Sequence, residues 1–387
     1  MKKQKICIIG GSLTGLATAT CLSNLNIDID LIVGNYKLNL KTNRTIAISQ
    51  NNFNFLKKFG IINFNKKELW PCSNMKLYHL DENKKFSEIL EFKKENKKKE
   101  VLYMLENQKI IKNLMMRIKK IKSINVIKNK TISDIGNLGS LKTVKFNNTN
   151  HQYNLIIICT GSDSNLVKNI FHEKSIQDFY EEISITTTIS HKKLNNNIVR
   201  QVFLDDEILA LLPISNNRTS IVWSVNQKKY QKNDLVIKKK LNYYLKNYFK
   251  KINFLTKIEY KKLHFLIRKN YYKDRLLLFG DALHSVHPLT GQGFNMTLRD
   301  LSFLEKTISD KINLGLDIGS TDILEEFYNT MKPRNFIYSA GINFLRNSFS
   351  LKNYYLKIAR NKIITNLNKN NYAKDLFFDF ADKGFKS

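Results

Sequence analysis

The stretch from Lys5 to Val33 constrains the fold of this chain more than any other. Lys5 to Ile9 form a short, mostly apolar run, the turn Gly10-Gly11-Ser12-Leu13-Thr14-Gly15 follows, and small and apolar residues then recur at helical spacing from Thr14 to Leu25. With a second apolar run at Ile27 to Val33, this predicts a strand, a tight turn, a helix and a second strand: a βαβ unit, whose parallel strands demand a sheet covered on both faces. The turn matches a dinucleotide-binding fingerprint in which Ser12 stands where the second glycine is usual. Gly10 can make the tight turn, Gly15 can let helix and strand approach, and free N–H groups at the helix start face an anion. Gly10, Gly11, Ser12 and Gly15 are therefore candidate pyrophosphate contacts, with a coincidental glycine-rich turn as the other reading this motif leaves open.

An acidic residue for the cofactor ribose is expected where the second strand ends, but the chain there reads Leu31-Ile32-Val33-Gly34-Asn35. Asp28 and Asp30 precede that point, at the strand entrance or on its outer face.

Further along, Leu155 to Cys159 is a fully apolar run ending in Thr160-Gly161, consistent with another buried parallel strand. Ile183 to Ile189, Val202 to Leu204, Leu209 to Ile214 and Ser220 to Val225 are short runs separated by polar turns, the pattern of an antiparallel sheet and hence of a second domain. Leu276 to Phe279 adds one more buried strand, and Gly291 to Ile308 has helical spacing. The expected fold is α/β: a discontinuous Rossmann-like domain (1–70, 100–178 and 268–330), an inserted antiparallel β-sheet substrate domain (71–99 and 179–267) and a C-terminal helical region (331–387). Lys93 to Lys99 reads as a solvated charge run.

The formal charge of +31 suggests nucleic acid until its make-up is considered: only ten of 64 basic residues are Arg. Lys scattered among Asn and Ile reflects codon composition, and no nucleic-acid-binding module accompanies it, so nucleic acid is not expected as a partner. No apolar run approaches the length of a membrane helix and no signal peptide is legible, which places the chain in the cytoplasm as an expectation. From Lys352 to Ile363, Tyr354, Tyr355, Leu356 and Ile358 interleave with basic residues. That segment reads either as a helix lying on an anionic membrane surface or as a solvated helix face. Cys7, Cys21 and Cys159 sit in apolar patterns and read as reduced core thiols; neither they nor Cys72 have metal-ligand spacing, and no metal is expected.

The most specific signal runs from Arg275 to Asp300: Arg-Leu-Leu-Leu-Phe-Gly-Asp-Ala-Leu-His-Ser-Val-His-Pro-Leu-Thr-Gly-Gln-Gly-Phe-Asn-Met-Thr-Leu-Arg-Asp. A buried strand delivers Asp281 to a loop, Pro288 stiffens a turn, and Gly291, Gln292 and Gly293 open a helix with backbone N–H groups outward and the positive dipole end behind them. Such a helix start stabilises an anion.

This segment resembles the flavin motif of the aromatic hydroxylases of the para-hydroxybenzoate hydroxylase superfamily, and most closely that of the ubiquinone-biosynthesis hydroxylases. The Gly-Asp-Ala, His-Pro-Leu and Gly-Gln-Gly-Phe-Asn blocks match in order and spacing. Asn43-Arg44-Thr45-Ile46-Ala47-Ile48-Ser49 resembles the family's Arg-containing flavin loop, and Leu105-Glu106-Asn107-Gln108 its entry to a helix. Ala210 to Ile214 and Ile221 to Ser224 resemble its substrate-domain strands. The likeness spans about Lys5 to Ile308, most of the chain.

The resemblance implies FAD as cofactor. Asp281 would contact its ribityl or diphosphate part, Pro288 its isoalloxazine, and Gly291, Gln292 and Gly293 its pyrimidine edge, with Phe294 and Asn295 continuing that block. Arg44 and Gln108 would also touch FAD. Arg44 has a further argument, being the only Arg in the first hundred residues, since guanidinium pairs with phosphate in a bidentate manner; without the resemblance, a plain surface Arg is an equally good reading. The implied reaction is hydroxylation of a phenolic, prenylated ring in ubiquinone biosynthesis: NAD(P)H reduces the flavin, O₂ adds, and a flavin hydroperoxide passes an oxygen to the ring. Partners would be that small aromatic molecule, O₂, and a membrane surface or biosynthetic complex. No general base stands out; His284 and His287 flank the flavin loop, where a structural role fits each as well as a catalytic one.

The sequence departs from the family after Cys159. The usual Ala-Asp-Gly, Ser and Arg are replaced by Thr160-Gly161-Ser162-Asp163-Ser164 with Lys168 beyond. Two alternatives stand beside the hydroxylase: a reductase of isoprenoid chains, since the same fold is reused for other reactions, and an FAD-binding accessory subunit without turnover, suggested by Val33, Gly34 and Thr160.

Overall fold

The computed structural model describes residues 3–34, 42–62, 69–80, 86–93, 100–130, 132–171, 175–178, 180–204, 206–230, 233–349, 354–370 and 372. Asn35 and the run 94–99 lie outside them, as do Lys352, Asn353 and the side chains of Tyr354 and Ile358. Among the described residues no helix is long and apolar enough to cross a membrane.

The N-terminal pattern folds as its periodicity predicts. The strand Gln4–Ile9 leads through the glycine turn into the helix Leu13–Leu22, and the strand Ile27–Val33 follows. These strands sit at the centre of a six-stranded sheet in the spatial order Tyr272–Lys273, Leu276–Leu278, Leu155–Ile158, Gln4–Ile9, Ile27–Val33, Ile124–Lys128. The pairings are parallel except at the edge hairpin 272–278. Leu155 to Ile158 and Ile6 to Ile8 are buried completely, because the helix Leu13–Leu22 packs on the sheet, Val144, Phe146 and Tyr153 of the small antiparallel sheet 134–153 join the same core, and every side chain meets apolar neighbours. All four cysteines are buried free thiols, Cys7, Cys21 and Cys159 in this core and Cys72 outside it.

Asp30 corrects the sequence reading. Asp28 lies at the surface and pairs with Lys3, but Asp30 is 3 % exposed and held in the sheet, not on an outer face. Its carboxylate accepts from Tyr153 Oη at 2.7 Å and Asn125 Nδ2 at 3.0 Å, and Lys5 Nζ lies 2.7 Å away. Burial pushes its pKa up, and these donors outweigh burial and hold it below the usual carboxylate range. The strand tolerates this charge in an apolar sheet because each oxygen has a partner.

A second, eight-stranded sheet is built from Glu182–Ser190, Arg218–Asn226, Glu207–Ser215 and Ile198–Leu204, with Asn74–Leu80 and Phe86–Lys93 beyond and Asn253–Phe254 and Glu259–Lys262 at the other edge. Its central pairings are antiparallel, whereas Ile198–Leu204 meets Asn74–Leu80 in parallel. Period-two alternation gives it two faces. Ile183, Ile185, Ile189, Ile221, Trp223 and Val225 pack on the helix Asp234–Leu245 through Ile237, Leu241 and Leu245. The opposite face carries Glu182, Ser184, Thr186 and Thr188, all under 9 % exposed, so this polar row is turned inward. The helices Gly293–Asn313 and Thr321–Phe349 pack on one another, and the second reaches the antiparallel sheet through Tyr338, Ile342 and Phe349.

Candidate flavin and substrate site

The two sheets meet over a cavity of about 580 Å³, in the range of small-molecule sites. One wall comes from the parallel-sheet side: Ser12, Leu13 and Thr14, the loop Thr42 to Ile46 with Arg44, then Asn107 and Ile111, and Asp281, His284 to Val286, Pro288, Gly291, Gly293 and Phe294. The other comes from the antiparallel sheet: Ser184, Thr186 and Val222, and the run Glu259 to His264. The sheet register explains the grouping, since Thr186 stands opposite both Val222 and Glu259, and Ser184 opposite Lys261. The walls are tied together where the Asn43 N–H donates to Glu259 Oε1 at 2.7 Å.

Ser12, Arg44, Asp281, Pro288, Gly291, Gly293 and Phe294 thus come together on one cavity although they lie up to 282 positions apart (294 − 12) in the chain. Gly10, Gly11 and Gly15 support it from behind. The Gly10 N–H bonds Ile32 O at 2.9 Å, and a Cβ on Gly15 would lie 1.9 Å from Gly10 O, so only glycine lets the helix start this close to the strand. At Gly291 the backbone has φ +67° and a Cβ would stand 2.9 Å from Ala47 Cβ. The Gly291 N–H is engaged by Pro288 O at 3.1 Å in a short 3-10 turn, so the expectation that it is a free outward donor is corrected.

Gln292 and Asn295 put their side chains elsewhere. Gln292 Oε1 accepts from Tyr338 Oη at 2.8 Å. Asn295, fully buried, donates to Ala47 O at 2.9 Å and accepts from the Ser49 N–H and Asn52 Nδ2. It fastens the helix start to the strand Thr45–Ser49 that follows Arg44. Gln108 is half-buried and off the cavity; the preceding residue, Asn107, lines it. Asn107 Oδ1 is buried with no partner among the described residues, an acceptor waiting for a donor. The signal for Asn107 was its place as the first residue of the helix Asn107–Ile118, directly after a strand.

The cavity is electropositive on one side. Arg44 and Lys261 both line it. Lys261 keeps accessible surface inside the cavity, yet burial pushes its ammonium pKa down; Arg44 adds to this, and Asp281 and Asp163 oppose it. Arg268, which no motif announced, is 6 % exposed and ties two loops together: Nε donates to Ala282 O at 3.3 Å and Nη2 to Ser162 O at 3.4 Å. Asp163 favours its charge against burial. The turn after Cys159 thus meets an arginine 106 positions further along the chain. His284 and His287 are each about 1 % exposed at the side chain, bonded to Asp300 and Glu182 respectively, so both are held as structural pairs. Among the described residues no cluster suits a metal ion.

A glycine-rich strand-to-helix turn, a cation beside it and an orphaned acceptor at a second helix start fit a dinucleotide. The family profile described as FAD binding domain matches residues 3–314. The chain belongs to the FAD-binding monooxygenase family. It is 24% identical over 448 residues to the mitochondrial ubiquinone biosynthesis monooxygenase COQ6 of Dictyostelium discoideum, covering 96% of this chain and 89% of that one. It is 26% identical over 181 residues to the ubiquinone hydroxylase UbiL of Rhodospirillum rubrum, spanning 44% of this chain and 41% of the relative. Among solved structures, the p-nitrophenol 4-monooxygenase PnpA of Pseudomonas putida shares the fold with a TM-score of 0.80 at 13% identity, over 100% of this chain and 99% of that one. HpxO of Klebsiella pneumoniae, solved with FAD and uric acid, gives 0.77 at 15%, over 98% and 97%. This family membership agrees with the α/β fold expected from sequence.

Proposed function

We propose that this chain is an aromatic hydroxylase acting on a phenolic, prenylated ring in ubiquinone biosynthesis, with NAD(P)H as reductant. The observation that carries the reading is the shared cavity: the elements that fit FAD form one wall, and the inward-facing row of the antiparallel sheet forms the other. The names of the COQ6 and UbiL relatives supply the substrate class.

When bound, FAD supplies the redox and oxygen chemistry. The chain's own residues do the rest. Ser12, the helix start after Gln292, Arg44 and Asp281 hold the cofactor, with Asn107 offering its unpaired acceptor. Ile46, Ile111, Val222, Val286 and Phe294 make an apolar surround that excludes water, and Ser184 and Thr186 present hydroxyls to orient a polar ring substituent. With His284 and His287 both committed to buried carboxylates, a substrate phenol has no histidine base among these two. Docking at an anionic membrane surface suits an apolar substrate: Phe344 on the helix Thr321–Phe349, and Tyr355 and Ile363 on the helix Tyr354–Lys369, are 76%, 79% and 69% exposed on a chain of charge +31.

The test is direct. Purified protein should show flavin absorption, release FAD on denaturation, and oxidise NADH or NADPH with formation of a hydroxylated product from a prenylated phenol and O₂. Flavin without NAD(P)H oxidation on any phenol would leave an FAD-binding accessory role; saturation of an isoprenoid double bond without O₂ uptake would identify a reductase.

A further inference from the structure

Four residues outside the cavity lining, Tyr180, Glu182, His287 and Arg346, are joined directly behind its wall. His287 sits between Val286 and Pro288, both of which line the cavity. Its Nε2 lies 2.9 Å from Glu182 Oε2, and its Nδ1 accepts the Leu289 N–H at 3.2 Å. An Nδ1 that accepts must carry no proton, so the ring is the neutral Nε2–H tautomer and donates to an ionised Glu182. The other carboxylate oxygen of Glu182 accepts from Arg346 Nε at 3.1 Å and also from its Nη2. Tyr180 closes the group: the Arg346 guanidinium lies 4.3 Å from its ring centroid, the His287 ring meets it edge-on at 5.4 Å, and its hydroxyl donates to Asn343 Oδ1 at 3.1 Å.

These contacts join three parts of the fold: the first residue of the strand Glu182–Ser190, the turn that opens the 293–313 helix, and the far end of the helix Thr321–Phe349. Burial raises the Glu182 carboxyl, but His287 and Arg346 outweigh it, while burial keeps His287 below its usual value despite Glu182. Both directions agree with the tautomer required by geometry.

We infer that Glu182 and Arg346 are positioning residues for the flavin-facing turn, acting through His287 to set where Val286 and Pro288 stand in the cavity. The inference rests on the flavoenzyme reading above. Arg346 neutralises Glu182, Glu182 fixes the ring, and the ring holds the turn through the Leu289 N–H. Without the carboxylate, the buried His287 N–H loses its acceptor and the part-buried Arg346 guanidinium loses its ion-pair partner, and the turn is free to re-seat.

The test uses the full chain with FAD. Glu182→Leu and Arg346→Met should each raise the FAD dissociation constant about tenfold, the scale on which supporting contacts behind a site act, and change the shape of the bound flavin's visible band. Glu182→Gln should recover part of the affinity, because its amide oxygen still accepts from His287. As a control, Glu207→Leu removes the acceptor shared by Trp223, Tyr230 and Lys240 on the helix-covered face of the antiparallel sheet and should lower Tm with the flavin band unchanged. Folded Glu182→Leu or Arg346→Met protein that matches wild type in both affinity and band shape overturns the inference; if Glu182→Leu does not fold, Arg346→Met and Glu182→Gln decide it. A wild-type chain that takes up no FAD refutes the flavoenzyme reading instead. The network is then read from ¹⁵N-histidine spectra, which must show a neutral Nε2–H ring lost on removing Glu182, and its absence from wild type also overturns the inference.

Discussion

His284 Nε2 and Asp300 Oδ2 lie 2.6 Å apart, with both side chains sealed from solvent. The second oxygen of Asp300 accepts from Asn335 Nδ2 at 3.0 Å, so one carboxylate joins the Asp281 loop to both long helices. Asp300→Ala removes the acceptor from two buried donors at once and should destabilise the fold by about 3 to 5 kcal/mol, the usual result of breaking a buried pair from one side. Urea unfolding followed by circular dichroism measures it, and a loss below about 1 kcal/mol would contradict the account.

Gly15→Ala should abolish FAD uptake. Its new Cβ would lie 1.9 Å from Gly10 O, a backbone atom that cannot swing aside, so the helix must move off the strand and carry the pyrophosphate donors with it. Flavin absorption of the purified variant, with added FAD, reads the outcome directly.

Asp30→Asn separates a structural acid from a cofactor ligand. Because the donors around Asp30 hold its folded pKa below the usual range, its contribution is fully present above the unfolded value, about 3.9, and is lost as pH falls through the folded value. The variant should be less stable than wild type by about 1.5 to 3 kcal/mol near neutrality, with the gap narrowing below about pH 4. Its FAD affinity should be unchanged, since Asp30 faces Tyr153, Asn125 and Lys5.

Gly34→Glu should tighten FAD binding. The chain has no acid where the second strand ends, and Gly34 is exposed with nothing within 4 Å of an added Cβ, so a carboxylate fits there. A hydrogen bond from a ribose hydroxyl to that charge should lower the dissociation constant about fivefold to tenfold, measured by flavin fluorescence quenching. Unchanged affinity would mean that the ribose lies out of reach of this strand end.

Much of this protein was decided locally. A run of apolar residues, a turn that only glycine can make and a helix at 3.6 spacing need no distant partner to be recognised, so the N-terminal unit, the strands at Leu155 and Leu276 and the helix after Gly293 were legible from the chain. The cavity residues Ser12, Arg44, Asp281 and Pro288 were legible too, because each lies within such a local pattern. Long-range pairing decided the rest. Asp30 looked like a surface acid until Tyr153 and Asn125 closed over it. Asn107, not Gln108, reaches the cavity, because only the packed helix determines which of two adjacent side chains points inward. Arg268 meets the turn after Cys159 across 106 positions, and Glu182 meets both His287 and Arg346, pairings that carry no local signature. A periodic pattern specifies which face of an element is buried; which charge is waiting on the other side of that face is settled only when the elements pack, since burial makes an unpaired charge too costly to leave to chance.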